Sequence, residues 1–166
     1  MNQQVLVGMA EIHAAKAGSV FTCLGLGSCI GLAAMDSISG IAAMAHIMLP
    51  EAFPNKPVEK PGKFASTAVD SLIDQMVALG ANRRNLVMAY AGGAQVFKFG
   101  NDDSGRLDVG VRNTEAVAQI VSKLSLRVVC KDVGGNAGRT MVFHSNTGEI
   151  TIRTVAGGER PLCSLR

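Results

Sequence analysis

Tryptophan is absent from these 166 residues, tyrosine occurs once and phenylalanine six times. No run of five or more basic residues appears, and the formal net charge is only +3. A nucleic-acid-binding face needs clustered cationic side chains and often stacking aromatics, so that class is excluded. Long apolar runs are also missing. The longest stretch, Ile41 to Pro50, contains His46 and falls well short of the roughly 18 residues that span a bilayer, so no membrane insertion is expected. Met1 to Met9 lacks the charged-then-apolar order of a signal peptide, and the expected location is cytoplasmic.

The four cysteines, Cys23, Cys29, Cys130 and Cys163, contain no C-x-x-C pair, which rules out a zinc knuckle and a thioredoxin motif. In a cytosolic chain their default state is the free thiol: Cys130, between valines, reads as packing and Cys163 as part of a polar tail. His13, His46 and His144 are too dispersed for metal-ligand spacing, so no metal is expected. His13, beside Glu11 and Lys16, reads as solvated, and His144 as a surface or hydrogen-bonding residue. Gly134-Gly135-Asn136-Ala137-Gly138 lacks the Lys-Ser/Thr of a P-loop, and Gly25-x-Gly27 is followed by Ile30 where a Rossmann turn has its third glycine.

What is present is a core-rich composition, 48% hydrophobic with a mean hydropathy of +0.25, which fits one domain over residues 1–166. Strands are predicted at Gln4–Met9, Ser19–Leu24, Ile30–Asp36, Ile41–Leu49, Leu86–Ala91, Leu126–Val133, Thr140–His144 and Glu149–Val155. An amphipathic helix is predicted from Phe64 to Leu79, stopped by Gly80. A second runs from Asn113 to Lys123, with Asn113 or Thr114 as its cap. Pro50 to Gly62 holds four of the five prolines and reads as a loop, and residues 156–166 as a C-terminal tail. Sequential hairpins with two helices make an α+β domain with at least one mixed or antiparallel sheet.

The most informative stretch is Gly25-Leu26-Gly27-Ser28-Cys29. A cysteine after a glycine turn, at the start of a strand, can be a nucleophile, with the Gly27, Ser28 and Cys29 N–H groups as oxyanion donors. It can equally be a packing residue. His46, alone in the apolar run Ile41–Leu49, bears on the choice. In a hairpin centred between Ser37 and Ser39, Cys29 lies opposite residue 47, which makes Cys29 and His46 cross-strand neighbours. The alternative for His46 is a core histidine bonded to a backbone carbonyl.

Leu24-Gly25-Leu26-Gly27-Ser28-Cys29, with His46-Ile47-Met48-Leu49-Pro50 beginning seventeen positions after the cysteine, resembles the signature of the CheD family of chemoreceptor glutamine deamidases. The likeness continues through Gly92-Gly93-Ala94, Gly110-Val111-Arg112-Asn113 and Asp132-Val133-Gly134-Gly135 with Gly138-Arg139, and covers about residues 5–155. The resemblance implies α/β/β layers and no cofactor. It also implies hydrolysis of glutamine side chains on receptor cytoplasmic helices, with Cys29 as nucleophile and His46 as base. The family's third residue, a threonine six positions before the cysteine, falls on Cys23, while Thr22 is the nearest threonine. Either residue could complete the site, Thr22 by a one-residue backbone shift. A CheC-type phosphatase is implied as a regulatory partner. In the expected mechanism His46 lowers the effective pKa of the Cys29 thiol. The rival from another class is a non-catalytic regulatory module that binds a CheC-type phosphatase or receptors. A cysteine protease is disfavoured, because no Asn or Asp stands after His46 as an obvious orienter.

Overall fold

The computed structural model describes residues 2–95 and 108–166. Its strands are β1 (Gln3–Leu6), β2 (Ile12–Ala15), β3 (Ser19–Leu26), β4 (Ile30–Asp36), β5 (Ile41–Ile47), β6 (Leu86–Gly92), β7 (Arg127–Val133), β8 (Arg139–His144), β9 (Glu149–Thr154) and β10 (Gly158–Ser164). The helices are α1 (Ala65–Ala78) and α2 (Val109–Lys123). One five-stranded sheet has the order β1-β3-β8-β9-β10 and the other β2-β5-β4-β6-β7. Each is mixed, with one parallel pair (β1 with β3, β6 with β7) among antiparallel ones. The predicted α+β class and its α/β/β layering are therefore present.

The layers follow from side-chain periodicity. In α1 the buried residues Ala65, Ala68, Val69, Leu72, Ile73 and Met76 form one stripe, which packs on β2 and β5. The helix ends at Gly80, whose φ of +113° lets Gly80 N–H and Ala81 N–H bond back to the Val77 and Met76 carbonyls. All seven residues of β4 and all seven of β5 are buried. Both strands are therefore covered on two faces, and their sequences read as nearly unbroken apolar runs instead of alternating. One face (Ile30, Leu32, Ala34 and Ala43, Ala45, Ile47) meets the helices. The other (Ala33, Met35, Ala42, Met44) meets Phe21, Met141, Phe143 and Ile152 of the second sheet.

Several predictions from sequence are corrected. The polar stretch around His13 forms β2, antiparallel to β5, and His13 pairs with Glu11 at 2.9 Å. The first strand stops at Leu6, and β3 runs on through Gly25 to Leu26 by way of a bulge. Helix α2 begins four residues earlier than predicted. Asp108 is its cap, accepting from Val111 N–H at 3.0 Å, and Asn113 lies buried inside the helix. The presumed tail is β10, antiparallel to β9. Cys130 and Cys163 are not free thiols but form a disulfide, which joins β7 to β10, the edge strands of the two sheets. Arg160 adds an ion pair to Asp132 across the same seam at 2.5 Å.

That cross-link spans 33 residues, so loop closure predicts about 3 to 4 kcal/mol of stabilisation. Cys130→Ser and Cys163→Ser are each expected to lower the unfolding free energy by that amount in denaturant titrations without reductant. The double variant should be no less stable than either single one, and reductant should bring the parent chain to the same level.

Candidate active site

Gly27, Ser28 and Cys29 form the turn between β3 and β4, and each of their carbonyls has a partner in the body of the protein. Ala94 N–H donates to Gly27 at 2.8 Å and Gly93 N–H to Cys29 at 2.9 Å. Asn113 Nδ2 donates to Ser28 at 2.8 Å. A trans, planar peptide sets each N–H opposite the carbonyl of its own peptide unit. Turning the Gly27 and Ser28 carbonyls inward therefore turns the Ser28 and Cys29 N–H groups the other way.

This closeness depends on glycine at two places. Gly92 has a φ of +120°, and a Cβ there would lie 2.1 Å from the Cys29 carbonyl oxygen. A Cβ on Gly110, in the first turn of α2, would lie 2.5 Å from the Ala94 carbonyl oxygen. Both positions exclude a side chain, so α2 sits directly on the Gly92-Gly93-Ala94 segment that braces the cysteine turn.

His46, 4% exposed on β5, is held from the other side by the connection between β1 and β2. Its N–H donates to the Glu11 carbonyl at 3.0 Å, and its carbonyl accepts from Ala10 N–H at 2.9 Å. Ala10 lies in the left-handed region, with a φ of 66°. The ring Nδ1 is 3.0 Å from the Val7 carbonyl oxygen. A carbonyl can only accept, so Nδ1 carries the hydrogen, and in the neutral ring Nε2 is left as the acceptor.

In the observed register Ile30 pairs with Ile47 and Gly31 with His46. This is shifted by one residue from the predicted pairing, which set Cys29 opposite residue 47. With a period of two, that one step decides the face. Cys29 and Gly31 point the same way as His46, so the cysteine and histidine are diagonal neighbours on one face, a pairing with typical Cα separations of about 7–8 Å. Gly31, directly opposite His46, puts no side chain beside the ring. The nearest atoms to a Cβ built there would be Leu26 Cδ1 at 3.1 Å, Met141 Sδ at 3.2 Å and Cys23 Sγ at 3.4 Å.

Residues 48–154 match the family model described as CheD chemotactic sensory transduction. A Clostridium kluyveri protein named probable chemoreceptor glutamine deamidase CheD is 42% identical over 156 residues, 94% of this chain and 96% of its own. A Clostridium botulinum (strain Hall) protein of the same name is 39% identical over 160 residues, 96% of this chain and 98% of its own. The chain belongs to the CheD family.

At the family's threonine position, Cys23 of β3 is fully buried and faces the sheet that contains β4 and β5. Its Sγ lies 4.0 Å from the Ala45 carbonyl, immediately before His46. Thr22, half-buried, occupies the opposite face of β3. The structure thus brings Cys23 up to Cys29 and His46 and sets Thr22 apart from them. Sequence reasoning missed Asn113 and the Val7–Glu11 segment as parts of this CheD site. In the sequence Asn113 reads as a helix cap and as part of the Gly110-Val111-Arg112-Asn113 likeness, and neither reading shows its partners.

Burial raises the thiol pKa of the half-buried Cys29 above its ordinary value and that of Cys23 much further. For Cys29 this is opposite in sense to the lowering expected from His46. A raised pKa means less thiolate at neutral pH.

Two measurements check this geometry. Iodoacetamide should alkylate Cys29 more slowly than an unburied cysteine at neutral pH, and the rate should keep climbing at alkaline pH where an ordinary cysteine has levelled off. Gly92→Ala, with both a positive φ and a backbone clash, should cost on the order of 3 kcal/mol or more in denaturant unfolding. Gly158→Ala, at a φ of +66° in open space, should cost only about 1 kcal/mol.

Proposed function

We propose that this chain is a cytoplasmic, cysteine-dependent chemoreceptor glutamine deamidase, converting glutamine side chains on receptor cytoplasmic helices to glutamate. The observation that carries the reading is the placement of Cys29 and His46 on one face of the β4–β5 hairpin, with Nδ1 of His46 occupied by Val7 and Nε2 left to accept a proton. Membership of the CheD family and the names of its relatives supply the substrate class.

His46 takes the thiol proton as Cys29 Sγ attacks the carboxamide carbon, forming the C–S bond. The oxyanion meets the Ser28 and Cys29 N–H groups that the anchored carbonyls direct away from the protein body, with Gly27 giving the turn its conformation. The imidazolium returns the proton to the nitrogen, the C–N bond breaks and ammonia leaves. Water then attacks the thioester while His46 accepts its proton; the C–S bond breaks and the proton passes back to Cys29. Each turnover leaves one new carboxylate on the receptor, which alters charge repulsion between neighbouring helices. Cys23 takes the third position here as a buried filler next to the Ala45–His46 backbone, and Thr22 contributes nothing to the site. A CheC-type phosphatase is the regulatory partner that goes with this reading.

The raised thiol pKa of Cys29 favours a second reading, a regulatory module that binds receptor without turnover. Mass spectrometry of a receptor cytoplasmic fragment separates the two. Incubation with the parent chain should give the amide-to-acid mass increase at specific glutamines, and Cys29→Ala should give none. His46→Ala should slow turnover by about 10²- to 10⁴-fold. Binding without any mass change in the parent chain would decide for the regulatory module.

A further inference from the structure

We infer that Asn113 is a positioning residue of the active site, acting through the Cys29 peptide and the end of the His46 strand. It sits inside α2 with 0% exposure. Both hydrogens of its Nδ2 are committed, one to the Ser28 carbonyl and one to the Met48 carbonyl, each at 2.8 Å. Two carbonyl acceptors admit only a donor between them, so the amide orientation is fixed. Ser28 precedes the nucleophile, and Met48 lies two residues beyond His46. One side chain therefore ties together the two segments on which the reacting groups are carried.

The remaining atom points to location as the purpose of the contact. Asn113 Oδ1 is buried and has no hydrogen-bond partner among the described residues. A buried polar atom without a partner is destabilising, and a residue selected for packing alone would be apolar. What the asparagine does supply is direction. By holding the Ser28 carbonyl inward it fixes the Cys29 N–H in the opposite direction, where the developing oxyanion needs a donor. By holding Met48 it fixes the spacing of the β4–β5 hairpin beyond its last ladder pair, Ile30 with Ile47. Met48 N–H in turn bonds the Lys63 carbonyl at 2.9 Å, so the tie extends to the start of α1.

This inference rests on the Cys29–His46 reading, and the experiment separates the two. With a receptor cytoplasmic fragment as substrate, Asn113→Ala should lower kcat about 10- to 100-fold while KM stays within about twofold, because the donor it aims acts on the transition state. Asn113→Ser, which keeps one donor, should lie between the parent and Asn113→Ala. A double-mutant cycle on iodoacetamide alkylation of Cys29 gives a readout without substrate. His46→Ala should slow alkylation in the parent chain but not in Asn113→Ala, since the pair is no longer aligned. Parent-like kcat and a parent-like effect of His46→Ala in folded Asn113→Ala would overturn the assignment. If the alanine variant does not fold, the same two readouts on Asn113→Ser decide. Alkylation that ignores His46 even in the parent chain would overturn the Cys29–His46 reading, and this role with it.

Discussion

Gly27, Ser28 and Cys29 present three consecutive carbonyls to the protein interior, and the rest of the site takes its arrangement from what meets them. Two of the donors, Gly93 N–H and Ala94 N–H, belong to the segment that ends β6, and the third is a side chain of α2. None of the three could approach if Gly92 or Gly110 carried a Cβ. The glycines around this turn thus have separate tasks. Some let the backbone reverse, and others let two pieces of main chain lie in contact. A cysteine in such a frame has little freedom of its own. Its backbone orientation is set before any substrate arrives, which is the condition under which fixed dipoles are effective in a low-dielectric site.

A second constraint is register. Pairing of Gly31 with His46 places imidazole and thiol on the face that looks toward the other sheet, and a slip of one residue would send His46 into the helical layer instead. The slip is blocked from both sides of the strand. On one edge His46 bonds Ala10 and Glu11, and at its end Met48 and Leu49 N–H both bond the Lys63 carbonyl. On the inner face Leu26, Met141 and Cys23 close over Gly31, so that even a methyl group there would be tightly packed. The burial that protects this arrangement also raises the Cys29 thiol pKa.

Much of this was legible in the sequence, for local reasons. The stripe of α1, the Gly80 stop and the apolar runs of β4 and β5 each depend on residues near one another in the chain, and all three appear as predicted. The likeness that pointed to Cys29 and His46 also depends on short, contiguous motifs. What escaped depends on distant partners. Ile12 to Ala15 is too short and too polar in its surroundings to signal a strand, and it becomes β2 only because β5 lies beside it. Gly158 to Ser164 contains Pro161, which an edge strand tolerates at a register shift but a sequence pattern counts against. The start of α2 was misplaced because Gly110 argues locally against a helix, whereas its reason for being glycine is the Gly93–Ala94 backbone it touches. Asn113 looked like a cap for the same reason, since its two acceptors, Ser28 and Met48, lie 85 and 65 residues away.

The order in which the chain visits its two sheets has a kinetic consequence. β1 lies in one sheet, β2 in the other, β3 returns to the first, and β4 to β7 go back to the second before β8 to β10 complete the first. Neither sheet can be built from one contiguous stretch, and the parallel pairs β1–β3 and β6–β7 both require the chain to leave and come back. A topology so rich in distant pairings favours slow, concerted folding over assembly piece by piece. Nascent chains emerging from the ribosome would therefore expose β4 and β5, apolar on both faces, until the last strands arrive. Those two segments, buried on both faces once the sheets are complete, are where a chaperone would be needed most.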